Sequence, residues 1–320
     1  MISGLTSLSG RDPAEYARHP LHSPERSYAE TNCYADVVVE LLHACGYEPR
    51  AMFAHVVRMD FEGDQWTFFK PPPEDLELLY GIDIHEMNPY RPLPQQIAEQ
   101  LDRGRTLIVE LDAYYLPDTA TTSYRAAHVK TSVAMDAIDP EAERLHYFHG
   151  PGMFALERED YRGAFRIGEF SADVLPPYTE LVRFDAGPKL DGEALRAASL
   201  ETLRRNLPHR PADNPVRRFG LALTRELPAL RDGDLEDYHA YAFATVRILG
   251  SGFEALGSYV DWLLGAGGRA AAEPIAEIVD ASKALSFRLA RRREFDPQEL
   301  LDRLADGWER AIEALTRMAS

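Results

Sequence analysis

Apolar positions along the chain have two textures, changing near residue 185. Before it, apolar runs are short and broken by Gly, Pro and acidic residues. Residues 37–45 have the composition of a helix and stop at Gly46. Residues 50–58 are apolar and expected to be extended. After a turn at 60–65, residues 66–70 read as a strand, which Pro71, Pro72 and Pro73 end because proline cannot donate to a ladder. Residues 74–80 and 93–103 read as short helices closed by Gly81 and Gly104. A buried strand follows at 106–111, then a hairpin pairing 128–137 with 144–148, a helix-like stretch at 157–165 and a last strand at 179–184.

Beyond residue 185, residues 186–192 read as a linker, and Leu, Ala, Phe and Ile then recur at three and four residues. That spacing predicts amphipathic helices over 192–207, 215–230, 238–262 (with glycine interruptions), 271–293 and 297–318. The expected class is α+β: a mixed domain over 1–185 followed by a helical domain over 192–320.

Composition narrows the choice. The formal net charge is −17, from 52 acidic and 35 basic residues, which argues against nucleic acid or an anionic membrane as a main partner. One basic run stands out, Arg288 with Arg291, Arg292 and Arg293, and its plainer reading is a solvated helix face. Two cysteines, Cys33 and Cys45, are too few for a disulfide framework. The start of the chain lacks the basic region and apolar stretch of a signal peptide, and no apolar segment approaches the roughly 20 residues that span a bilayer. A soluble cytoplasmic protein is therefore expected. His43, His55, His85, His146 and His239 show no metal-ligand spacing, so no metal site and no bound cofactor are expected.

Candidate chemistry centres on Cys33. It stands at the start of a helix after the polar residues Glu30, Thr31 and Asn32. A cysteine in the first turn of a helix faces unpaired backbone N–H groups and the positive end of the macrodipole, and both favour a nucleophilic thiolate. The competing reading is a small buried hydrophobe, the commoner fate of a free cysteine. Far downstream, His128 opens a strand. A cysteine on a helix N-terminus followed by a histidine at a strand is the chain order of papain-like cysteine enzymes.

The motifs Glu30-Thr31-Asn32-Cys33-Tyr34, Asp112-Ala113-Tyr114-Tyr115-Leu116-Pro117, and His128 leading toward Tyr147-Phe148-His149-Gly150 resemble a bacterial family catalogued as domain of unknown function 1839. The same order is similar, more distantly, to the butirosin-biosynthesis acyltransferases. The likeness implies a papain-like (cysteine peptidase-like) first domain. It also implies a transferase of specialised biosynthesis that takes an acyl or aminoacyl group from the phosphopantetheine arm of a carrier protein. The group would pass through a Cys33 thioester to a small-molecule amine acceptor. Cys33 would be the nucleophile and His128 the base and later acid.

Papain-like enzymes orient the histidine with Asn or Asp, whereas the position about twenty residues after His128 carries His149. His149 is the favoured third catalytic residue, with Asp136, Asp139 and Asp112 as alternatives. The Cys33 backbone N–H and the Asn32 side chain are candidate oxyanion donors, although Asn32 is equally an ordinary helix cap. Asp112 either holds an amine, orients His128 or serves as a turn residue. Tyr114 and Tyr115, with Tyr124 after them, either flank substrate or pack in the core, and Glu30 completes the candidate substrate-binding set. A cysteine peptidase or amidase would use the same Cys and His with water as acceptor. A non-catalytic binding module would keep the fold and bury Cys33.

Overall fold

The computed structural model describes residues 6–168 and 175–320, which gather into two compact units. Neither unit is a single stretch of chain. The first contains the segment up to Pro20, Cys33–Pro49 and Pro73–Leu190, and the second contains Leu21–Asn32, Arg50–Pro72 and Asp191–Ser320. By contacts, two early segments group with the C-terminal helices rather than with the sheet.

The first unit is built on an antiparallel sheet. Its elements are β1 (Thr6–Ser7), α1 (Cys33–Ala44), α2 (Pro73–Tyr80), β2 (Asp83–Glu86), α3 (Leu93–Asp102), β3 (Thr106–Asp112), β4 (Lys130–Asp139), β5 (Arg144–His149), β6 (Gly152–Glu157), α4 (Arg158–Ala164) and β7 (Thr179–Arg183). The strand order is β2-β7-β3-β4-β5-β6. The first half of β4 pairs with β3, where Lys130 opposes Asp112 and Ser132 opposes Glu110. Its second half pairs with β1, and its other edge with β5 across a bulge between Met135 and Ala137.

Alternation along the strands separates the two sheet faces. Leu107, Val109 and Leu111 of β3 join Val133 and Met135 of β4 and Tyr147 of β5 in a buried core with Ile97, Leu101 and Tyr161. The opposite face receives α1, where Val37, Val38, Val39, Leu41 and Leu42 are all buried. The Tyr34 hydroxyl donates to Glu180 of β7 at 2.7 Å and fixes the first turn of α1 against the sheet.

The stretch expected to be a linker is docked on this unit as far as Leu190. Gly81 has φ +65°, and a Cβ there would lie 2.3 Å from the Gly187 carbonyl oxygen, so only glycine permits the approach. The Ala186 N–H donates to the Gly81 carbonyl at 3.0 Å, and the Lys189 ammonium donates to the Cys45 carbonyl at 3.0 Å while lying over the Tyr47 ring.

The second unit carries α5 (Gly192–Asn206), α6 (Pro215–Asp232), α7 (Leu235–Ala242), α8 (Ile248–Leu264), α9 (Arg269–Ala290) and α10 (Gln298–Ala319). A π-helical segment, Phe243–Arg247, joins α7 to α8, so the break in the long helix expected over 238–262 is not at a glycine. Residues 50–58, expected to be extended, lie in a 3-10 helix, Pro49–Arg58. An apolar run does not reveal its own period when every side is covered. Nor do residues 66–70 form a strand: Trp66 makes one isolated bridge to Phe61, and both rings pack on Phe219 of α6. That aromatic contact draws the early segment into the helical unit.

Candidate active site

Cys33 is the first residue of α1 and is partly exposed. Its Sγ lies 3.7 Å from Ser132 Oγ on β4. Ser132 shares a sheet face with Lys130, two residues earlier, and Lys130 directly opposes Asp112. Cys33 and Asp112 therefore address the same face.

Asp112 ends β3 and holds His128 there: Nδ1 of the imidazole lies 2.6 Å from Asp112 Oδ2. The other carboxylate oxygen accepts from the Tyr114 N–H at 3.0 Å. The Tyr114 ring stacks on the imidazole with centroids 4.4 Å apart and an interplanar angle of 16°. A carboxylate on Nδ1 selects the tautomer protonated there and leaves Nε2 as the nitrogen that accepts a proton. The His128 side chain is 69% exposed, so Nε2 is accessible to a reactant from solvent. Among the described residues no hydrogen bond joins Cys33 to His128. His128 precedes Ser132 by four residues, at most roughly 14 Å of extended chain.

His149 is placed elsewhere. Its Nε2 lies 2.8 Å from Thr131 Oγ1, and its Nδ1 bonds Asp118. Asp118 also accepts from the Tyr147 hydroxyl. Thr131 and Ser132 are consecutive in β4, so the His149 cluster lies on the opposite sheet face from Cys33. The residue hydrogen-bonded to His128 is Asp112, one of the expected alternatives, and not the favoured His149. Asp136 is buried under Ser7 and Ser9, and burial raises its carboxyl above the usual range. Asp139 accepts from the Ala142 and Glu141 N–H groups in its turn, and those donors lower its carboxyl. Neither bonds to His128.

These observations stand beside a family assignment. The DUF1839 N-terminal domain matches residues 17–184, and the DUF1839 C-terminal domain matches residues 192–317. The chain belongs to the DUF1839 family. No curated protein matches it.

Within this DUF1839 member the remaining candidates separate. Tyr115 packs inward: a Cβ on Gly163 of α4 would lie 2.1 Å from the Tyr115 ring, so the ring occupies that space. The Tyr124 hydroxyl donates to Asp160 at 2.9 Å, and Arg125 lies over the rings of Tyr114, Tyr115 and Tyr124. This cation–π group ties the loop after β3 to α4. The Asn32 side-chain amide donates to the Phe69 carbonyl at 3.0 Å, so one of its N–H groups is already engaged. Glu30 belongs to the second unit and pairs with Arg247 at 3.5 Å. Sequence reasoning missed Ser132, Asp118 and Arg247. Ser132 had a readable signal, since it sits an even number of residues from His128 along a strand.

The described residues contain no group of three or more His, Cys, Asp and Glu placed to hold a metal ion. Among them no helix is long and apolar enough to cross a membrane.

Proposed function

We propose that this chain is a papain-like cysteine acyltransferase related in mechanism to the butirosin-biosynthesis enzymes. The Cys33 thiolate attacks the thioester carbonyl of an acyl or aminoacyl group on a carrier protein's phosphopantetheine. The bond to the pantetheine sulfur breaks, and the sulfur leaves as a thiolate that takes its proton from solvent water. A small-molecule amine then attacks the Cys33 thioester, His128 Nε2 takes the amine proton, and the thiolate is released as the amide forms.

The observation that carries this reading is the Asp112–His128 hydrogen bond on the same sheet face as the N-terminal cysteine of α1. The N–H groups at the start of α1 serve the sulfur, and the exposed Nε2 serves the incoming nucleophile rather than the resting thiol. Exposure of His128 also admits water, which favours hydrolysis as the second reading. Intact-protein mass spectrometry after mixing the chain with acyl-loaded carrier proteins tests the proposal. The expected result is a mass increase that Cys33→Ala abolishes and that an added amine discharges as amide. No adduct across a broad acyl set would overturn it, and discharge only to free acid would leave the hydrolase.

A further inference from the structure

The second unit holds a cavity of about 520 Å³, within the range of small-molecule sites. Ser27, Tyr28 and Glu30 line one side, and Tyr238, Phe243 and Arg247 the other. Phe243 and Arg247 are the two ends of the π-helical segment between α7 and α8. Such segments are rare, interrupt α-helices mostly as single turns, and are frequent at functional sites. Here the wider turn belongs to the stretch that supplies an aromatic wall and a cation.

The polar groups of this cavity are underused. The Arg247 guanidinium meets Glu30 at 3.5 Å, longer than the 2.7–2.9 Å or so of a charge-assisted bond, and its buried Nε has no partner among the described residues. The Tyr28 hydroxyl is buried against Gly250 of α8 with Ser286 as neighbour, so Tyr28 offers the cavity its ring rather than its hydroxyl. Phe243 is 46% exposed, and the Arg247 guanidinium sits 5.5 Å from its ring centroid. Arg247 and Glu30 give the lining one full positive and one full negative charge, with the imidazole of His239 beside them. A phosphate would meet Glu30 as well as Arg247, whereas a molecule with both an ammonium and a carboxylate satisfies each.

We propose that the cavity binds a small zwitterion, an α-amino acid with an aromatic or large apolar side chain. Arg247 holds its carboxylate, Glu30 its ammonium, and Tyr28, Tyr238 and Phe243 enclose its side chain. Naming this ligand as the amine acceptor rests on the acyl-transfer reading; its binding does not.

Calorimetric titration of the full chain with L-phenylalanine, phenethylamine and 3-phenylpropionate tests the proposal. L-Phenylalanine is expected to saturate the protein, with each single-charge analogue about tenfold weaker or worse. Arg247→Met is expected to erase the preference over phenethylamine, and Glu30→Gln the preference over 3-phenylpropionate, with thermal unfolding midpoints kept near wild type. Arg247→Lys, which keeps the charge, is expected to bind between wild type and Arg247→Met. No saturation by about 10 mM L-phenylalanine, or equal affinity in wild type and both neutralised variants, overturns the site. Cys33→Ala is expected to bind as wild type does; L-phenylalanine binding by a wild-type chain that forms no thioester adduct with any acyl-loaded carrier would sink acyl transfer and leave this site standing.

Discussion

Asp112 and His128 are joined at 2.6 Å, and Tyr114 serves both partners, its N–H donating to the carboxylate and its ring stacking on the imidazole. The arrangement fixes the tautomer and the ring plane together. Asp112→Asn keeps the shape but presents an amide that can also donate to Nδ1, favouring the wrong tautomer. Under the proposed acyl transfer, discharge of a Cys33 thioester to an amine is expected to slow by about 10²–10⁴-fold, read by single-turnover mass spectrometry. A rate within threefold or so of wild type would remove Asp112 from the machinery.

The His149 cluster is expected to behave otherwise. His149→Gln loosens a partly buried contact among Thr131, Asp118 and β5, so it should cost about 1–3 kcal/mol of stability by urea denaturation. Discharge of the thioester should stay within a few-fold of wild type. A loss as large as that of Asp112→Asn with unchanged stability would restore His149 as the orienting residue.

Alkylation should distinguish the two cysteines. Burial, reinforced by the nearby Asp136 charge, pushes the Cys45 thiol up to about 12. It stays protonated at neutral pH and should resist iodoacetamide, while Cys33 at the partly exposed start of α1 should react. Peptide mapping after brief treatment at pH 7.5 checks this. Faster labelling of Cys45 than of Cys33 would contradict both assignments.

A pH dependence follows from His55, buried in the second unit with its Nδ1 2.7 Å from the Met52 carbonyl. Burial lowers its pKa to about 4, below the usual 6.5. The unfolded chain therefore takes up a proton that the folded chain refuses between those values, and stability falls as pH drops from about 6.5 toward 4. The full effect is up to about 3 kcal/mol, read from urea midpoints across that range. His55→Phe should flatten the profile; an unchanged slope would assign it to other groups.

Tyr34 and Tyr178 both donate to the buried carboxylate of Glu180, at 2.7 and 3.0 Å. Tyr34→Phe leaves that carboxylate with one donor fewer and should cost about 1–3 kcal/mol. Because Tyr34 follows Cys33 in α1, hydrogen exchange should also quicken in the first turn of the helix. Unchanged exchange there would mean that the hydroxyl does not seat α1.

The sequence was most legible where one face of an element meets water and the other the core. The helices at 73–80 and 93–102 and the β4–β5 hairpin emerged from periodicity and glycine stops. It was least legible where a segment is covered on all sides. Residues 50–58 look like a strand by composition, yet Ala51, Met52, Phe53 and Ala54 are all buried in a 3-10 helix. β2 and β6 were missed because each is mixed in polarity, and β2 is short as well. At the site, Cys33 and His128 were visible because their residue types are rare at such positions. Asp112 was one of several acids, and choosing it needed the strand register that sets it opposite Lys130.

The alternation of segments between the two units bears on vectorial synthesis. Leu21–Asn32 and Arg50–Pro72 leave the ribosome early, but the helices they belong with begin after residue 191. At 5–20 residues per second or so, those early apolar segments wait roughly 6–25 s for the first of these helices to begin and roughly 12–50 s for the last to be made. In that interval Met52, Phe53, Phe61 and Trp66 lack their eventual neighbours, so the nascent chain, rather than the finished protein, is the form most exposed to aggregation and to chaperone capture.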